Sequence, residues 1–238
     1  MKPLSWLDAR NPGAPFPNPQ NALREPNGLL AVGGGLEPQR LLNAYRSGIF
    51  PWFDAGQPIL WWSPDPRTIF LPDHIHVSHS LRKRLRGAHY RSSFDHAFAE
   101  VIDACAAPRP NAPSSWITAQ MRDAYCTLHA LGYAHSVETW YDDTLIGGLY
   151  GVALGGVFFG ESMFSRRSDA SKVALVQLAG LLLRRGFGFI DCQMETDHLL
   201  SLGAQTISRD HFLSLLRAQV TRPLPVDSWR HEPPMVFR

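Results

Sequence analysis

At 238 residues, 45% hydrophobic and 18% charged, the chain has the composition of a globular protein with enough apolar material for one large domain, or a large one and a small one. A formal net charge of +2 is too small to mark a nucleic-acid binder that works by bulk charge, which leaves local basic patches as the feature to look for. The three cysteines, Cys105, Cys126 and Cys192, are widely spaced and form no CxxC pair, which excludes a disulfide framework or a structural zinc site and predicts reduced thiols. The opening MKPLSWLDARNPGAPFPNP lacks the apolar core of a signal peptide, and the most apolar runs fall short of a membrane span, so a cytoplasmic protein that does not enter a membrane is expected.

In chain order, residues 11–27 are dense in proline and asparagine and predict an extended segment that wraps a surface. In GLLAVGGGLEPQRLLNAYR a short apolar strand runs into a glycine turn, and Pro38 opens a helix with Leu41, Leu42 and Tyr45 at helical spacing. VGGGLEP has neither GxGxxG nor P-loop spacing, so it is a structural turn. PILWWSPDPRTIFLP brackets two short strands with prolines and places a domain boundary near residue 65, giving a small α/β domain over 1–65 and a larger domain over 66–238. Trp61 and Trp62 are adjacent in a strand and must face opposite sides.

HIHVSH alternates His74 and His76 with Ile75 and Val77, the pattern of a strand's polar face, with no cysteine ligand close by; no metal site is expected. A helix over 79–86 follows. Its Leu81 and Leu85 form an apolar stripe while Arg82, Lys83, Arg84 and Arg86 occupy the rest, and no acidic residue occurs between Asp73 and Asp95; the group suits a phosphate backbone. Further helices are predicted over 94–106, 118–131 and 170–185, strands over 67–71, 134–141, 144–154, 156–164 and 187–193, and short helices over 196–202 and 209–217. Hairpins followed by a helix and another strand make the fold mixed α/β (α+β).

Two strands carry acids among apolar residues. Alternation puts Phe187, Phe189, Asp191 and Gln193 on one face of GFGFIDCQMETDH, opposite Ile190, Cys192 and Met194. It also groups Val157, Phe159, Glu161 and Met163 in VFFGESMFSR, unless a bulge at Gly160 reorients the strand. A buried carboxylate needs an arginine partner or a cationic substrate. GxSxG and HExxH are both missing, which removes sequence support for a serine-hydrolase elbow or a zinc protease.

The motifs REPNGLLAVGG, GIFPWF, PILWWSPDPR, SSWIT, GGLYGV, FGESMFSR, ASKVAL and IDCQ, followed by DH and SLGA, run in order from about residue 16 to the C-terminus. In this the chain resembles the leucyl/phenylalanyl-tRNA–protein transferase family. The resemblance implies a small N-terminal domain joined to an acetyltransferase-like (GNAT) domain with a mixed sheet. It implies transfer of leucine or phenylalanine, less readily methionine, from leucyl-tRNA or phenylalanyl-tRNA to proteins with an N-terminal arginine or lysine, which marks them for N-end-rule degradation. It further implies that Trp52 and Trp116 hold the terminal adenosine, and that Leu149, Phe158, Met163, Leu175, Leu178 and Ile190 form the aminoacyl pocket.

Because aminoacyl-tRNA is already an activated ester, no cofactor is needed; the enzyme has to hold an amine against a carbonyl and stabilise the oxyanion. Asp191 and Glu161 are expected to meet the cationic acceptor and Gln193 to donate to the oxyanion, with Asp191 either taking a proton or only orienting the amine. Arg82, Lys83, Arg84 and Arg86 are expected to hold the tRNA acceptor stem by its phosphates. The chain departs from the family pattern in having Leu149 where methionine also occurs, and Arg166-Arg167 makes the loop after Ser165 more basic. An acyl-CoA acetyltransferase is disfavoured because the nearest match to its pyrophosphate loop, Gln177-Leu-Ala-Gly180, lies inside a helical pattern. A non-catalytic RNA-binding module leaves the two acids unexplained.

Overall fold

The computed structural model describes residues 4–87, 89–108 and 115–237. The first part builds a four-stranded sheet from β1 (Ser5–Leu7), β2 (Leu29–Gly33), β3 (Phe50–Pro51) and β4 (Leu60–Trp62), in the order β1-β2-β4-β3, with helix α1 (Pro38–Arg46) between β2 and β3. Pro38 sits at the start of α1, where its missing N–H costs nothing, and Gly33 and Gly34 supply the positive φ (83° and 77°) that turns the chain out of β2. The proline-rich segment wraps as expected. The buried Arg40 guanidinium of α1 donates to the carbonyls of Asp8, Asn11 and Ala14, and Phe16 packs edge-on to the fully buried Trp61 at 4.8 Å. Trp62, facing the other way, lies beside Trp52 at 5.7 Å.

The second sheet begins four residues beyond β4 with β5 (Arg67–Phe70), and α2 (His79–Leu85) and β6 (Tyr90–Phe94) follow. The histidine run forms no strand. Pro72–His74 is a single 3-10 turn, the His76 N–H donates to the Leu202 carbonyl, and Ser78 caps α2, while Ile75 and Val77 pack beside Leu81. The residues predicted to open a helix at 94 instead end β6; α3 (Phe98–Ala106) starts later, and α4 (Ala119–Ala130) follows with Thr118 as its cap. The hairpin strands β7 (Ala134–Tyr141), β8 (Thr144–Leu154) and β9 (Val157–Ser165) lead to α5 (Ala170–Arg184), then β10 (Phe189–Gln193), α6 (Asp197–Ser201), β11 (Gln205–Ile207) and α7 (Arg209–Val220). The sheet order is β11-β5-β10-β9-β8-β7-β6, parallel between β9 and β10 and antiparallel elsewhere, so the sheet is mixed.

One face of this sheet shares a core with α1, α3, α4 and the smaller sheet; the other packs on α5 through Leu175, Leu178, Leu181 and Leu182. Among the described residues no helix is long and apolar enough to cross a membrane.

Candidate active site

A cavity of about 230 Å³ opens between α5 and the ends of β8, β9 and β10. All six residues expected to form an apolar pocket line it: Leu149, Phe158, Met163, Leu175, Leu178 and Ile190. Phe70, Tyr150, Gly160, Ser162, Cys192, His198 and Leu199 complete the wall, and Glu161 supplies its carboxyl end. A void of about 150 Å³ takes benzene, so this one has room for a leucyl or phenylalanyl side chain.

Local backbone irregularity brings these residues together. On β9, pairing with β8 runs Tyr150↔Ser162 and then Gly151↔Gly160, which leaves Glu161 as the extra residue of a bulge. Alternation is therefore broken at Glu161: Val157 and Phe159 face the larger core, whereas Met163 falls on the same side as Phe158 and lines the cavity. The expected grouping of Met163 with Val157 and Phe159 does not hold, and the bulge is why.

Among the described residues no arginine pairs with Glu161. Tyr45 donates to Oε1 at 2.7 Å, Tyr125 to Oε2 at 2.8 Å, and the Gln193 amide to Oε1 at 3.0 Å. Burial pushes its carboxyl up to about 7 from 4.5; the tyrosine hydroxyls pull the other way, and nearby Asp191 adds to the rise. The site thus holds an acid that burial raises toward neutrality, bound only by neutral donors. Tyr45, which reads in sequence as part of an apolar helix face, and Tyr125 were not foreseen here. Each is fully buried, and a buried tyrosine hydroxyl needs a partner, which is the signal that points to them.

Asp191 is placed differently from the expectation that it meets the incoming amine. It is fully buried, does not line the cavity, and is held on both oxygens by Arg67, Nε to Oδ1 at 2.8 Å and Nη2 to Oδ2 at 2.6 Å. Arg67 is itself stacked between Phe50 and Phe212, at 4.9 and 4.4 Å from the ring centres. Asp191 and Gln193 are not alternate members of a regular strand either. The pairing of β10 with β5 shifts between them, Gln193 takes a left-handed conformation (φ 66°), and its N–H donates to Asp191 Oδ1 at 2.9 Å. The aspartate thereby anchors the backbone turn that aims Gln193 at Glu161. Phe187 also departs from the expected face: it precedes β10 and packs with the Ile190 side of the sheet.

The remaining expected residues lie elsewhere. Trp52 is 38% exposed, and Trp116 is half-buried against the larger core; neither lines the cavity. Of the basic group, Arg82, Lys83 and Arg86 are exposed and border a groove with His79. Arg84 is not free to join them: it donates to Asp169 at 2.8 Å and to the Tyr90 hydroxyl at 3.2 Å. Its counter-charge comes from 85 residues away, out of reach of a local charge count. The Gln177–Gly180 turn of α5 is covered by the chain's own end. Gln177 exchanges hydrogen bonds with the Met235 backbone, and a Cβ at Gly180 would collide with the Met235 side chain, so no pyrophosphate cradle exists there.

Comparison with known proteins bears on this geometry. Residues 69–217 match the family model described as leucyl/phenylalanyl-tRNA protein transferase, and residues 34–65 match the model of that family's N-terminal domain. The chain is 57% identical over 227 residues to the leucyl/phenylalanyl-tRNA–protein transferase of Stutzerimonas stutzeri strain A1501, covering 95% of this chain and 99% of that one. It is 59% identical over 209 residues to the protein of the same name from Aromatoleum aromaticum, covering 88% and 87%. Among solved structures, a GCN5-related N-acetyltransferase from Kribbella flavida is a distant likeness at TM-score 0.39 and 12% identity, covering 72% of this chain and 61% of that one. With both of its parts matched and its relatives covered almost end to end, the chain belongs to the leucyl/phenylalanyl-tRNA–protein transferase family.

Proposed function

We propose that this aminoacyltransferase moves leucine or phenylalanine, and less readily methionine, from charged tRNA to the N-terminal arginine or lysine of acceptor proteins in the cytoplasm, marking them for N-end-rule degradation. The observation that carries the reading is an apolar cavity sized for one such side chain, with Glu161 in its wall and Gln193 hydrogen-bonded to that carboxyl from outside the lining. An apolar pocket separates large side chains by only a few kcal/mol, which suits a leucine and phenylalanine donor with some tolerance for methionine.

In this reading the aminoacyl side chain fills the cavity, which sets its ester carbonyl beside Gln193. One Gln193 amide hydrogen holds Glu161. The other is left to donate to the carbonyl oxygen as it gains charge. The acceptor's neutral amine attacks the carbonyl carbon; the tetrahedral oxyanion collapses, the ester C–O bond breaks, and the 3′-oxygen of the terminal adenosine leaves with the proton the amine gives up. Glu161, poised near neutrality, receives the cationic acceptor as a carboxylate. Asp191 acts through Gln193: tied to Arg67, it is a positioning residue. Trp52 and Trp116 stack on the terminal adenosine, and Arg82, Lys83 and Arg86 meet acceptor-stem phosphates. The division between the two parts falls near residue 65, in the turn between the sheets.

Incubation with labelled leucyl-tRNA and peptides that begin with arginine or alanine tests the proposal. Label should pass to the arginine peptide alone. Failure to label either, together with acetylation from acetyl-CoA, overturns it.

A further inference from the structure

The last stretch of the chain, from residue 224 on, lies along the outer side of α5. Arg185 holds Asp227 at 2.6 Å and Glu232 at 3.6 Å, Arg184 donates to the Pro233 carbonyl at 2.8 Å, and Gln177 pairs with the Met235 backbone. Within this strap Trp229 is 1% exposed, although it lies in a segment with no helix or strand. Its backbone N–H donates to Asp95 Oδ2 at 2.7 Å, and the same oxygen accepts from His135 Nδ1 at 2.9 Å. The His135 ring lies flat on the indole, with 3.7 Å between centres and 3° between planes. Such a seat fixes the indole in position and orientation; burial of the apolar surface alone would not select one.

Besides Phe187 and Arg185, the indole also meets the pocket wall. Trp229 lies 5.9 Å from Phe158, whose ring lines the cavity. On a second side Phe158 is seated over Gly151, where a Cβ would come within 2.6 Å of the ring. Phe158 is thus confined by the strand backbone, by Trp229 and by whatever occupies the cavity. Resting on the transferase reading above, we infer that Trp229 is a specificity-determining positioning residue: it stands behind Phe158, fixes how far that ring can retreat, and so sets the depth of the aminoacyl pocket. It touches no substrate. A close-packed wall transmits the loss of its backing directly, because removal of a large side chain leaves a void that neighbours partly relax into.

The test measures kcat/KM for phenylalanyl-tRNA and leucyl-tRNA with an arginine-initiated peptide in the full-length protein. Trp229→Leu should raise the phenylalanine-to-leucine ratio at least fivefold, because Phe158 withdraws and the deeper pocket grips leucine less well; Trp229→Phe should shift it in the same direction by about half as many powers of ten. Met235→Ala loosens the strap elsewhere and should lower Tm while leaving the ratio unchanged, which separates pocket depth from general destabilisation. An unchanged ratio in folded Trp229→Phe and Trp229→Leu overturns the inference; if the leucine variant does not fold, the phenylalanine variant decides alone. A parent protein that transfers neither amino acid refutes the transferase reading instead.

Discussion

Glu161→Gln isolates the unusual acid at the end of the cavity. Its carboxyl titrates near 4.5 in the unfolded chain and at about 7 in the folded protein. A raised acid disfavours folding once the unfolded chain ionises, so the parent loses stability as pH rises from 4.5 through 7, after which the loss levels off. Linkage puts that loss at roughly 1 kcal/mol at pH 5 and roughly 3 kcal/mol at pH 8, a difference of about 2 to 3 kcal/mol. Glutamine cannot ionise. Its amide sets a donor where an oxygen stood, against a tyrosine hydroxyl that can turn to accept, and this offset does not vary with pH. The difference in Tm between Glu161→Gln and the parent should therefore move in the variant's favour by roughly 5 °C from pH 5 to pH 8, taking about 2 cal/mol/K of unfolding entropy per residue. Groups common to both proteins cancel in this comparison. Over the same interval the parent's kcat/KM for transfer should climb through pH 7, while the variant's stays low and flat. Parallel Tm curves would refute the burial argument, and undiminished transfer by Glu161→Gln would remove the acid from the reaction.

Other substitutions separate chemistry from architecture. Gln193→Ala should lower kcat by about a hundredfold with little change in tRNA affinity, the usual cost of an oxyanion donor. Asp191→Asn strands a buried guanidinium and should cost about 3–5 kcal/mol in denaturant unfolding, a loss largely recovered when Arg67→Met is added; an active, fully stable single variant would contradict the ion-pair account. Alanine at Trp52 or Trp116 should raise KM for aminoacyl-tRNA by the equivalent of roughly 1–3 kcal/mol without altering Tm by more than a few degrees. Neutralising Arg82 and Lys83 should flatten the salt dependence of tRNA binding by about one to two charges, whereas Arg84→Ala should chiefly loosen the contact of α2 with Asp169 and leave the salt slope unchanged.

The hairpins and α5 were legible because side-chain periodicity is strong in long regular elements, whereas the six residues that line the cavity came from the family resemblance. What escaped were the contacts that depend on broken periodicity or distant partners. A single extra residue at Glu161 sends Met163 to the opposite face, and the left-handed Gln193 removes it from the regular strand. Arg67 is separated from Asp191 by 124 residues, so no local pattern pairs them. In β6 the sequence YRSSF shows little apolar alternation, because its buried serines serve polar neighbours: Ser93 donates to the buried Glu138 at 2.6 Å. The histidine alternation that imitated a strand reflects Ile75 and Val77 pinning an irregular segment to the Leu81 cluster.

Tyr45 belongs to α1, in the first part of the chain, whereas Tyr125 and Glu161 belong to the second. The acid's surroundings are therefore shared property of two pieces that the ribosome delivers far apart in time. Until the last strands are made, α1 has nothing to cap, and a second part folded without its predecessor carries Glu161 short of one hydroxyl. The contact of the early piece with the late one is what completes the hydrogen bonds to Glu161. A chain cut between Trp62 and Arg67, with both sheets left whole, should lose transfer on dilution and regain it on concentration.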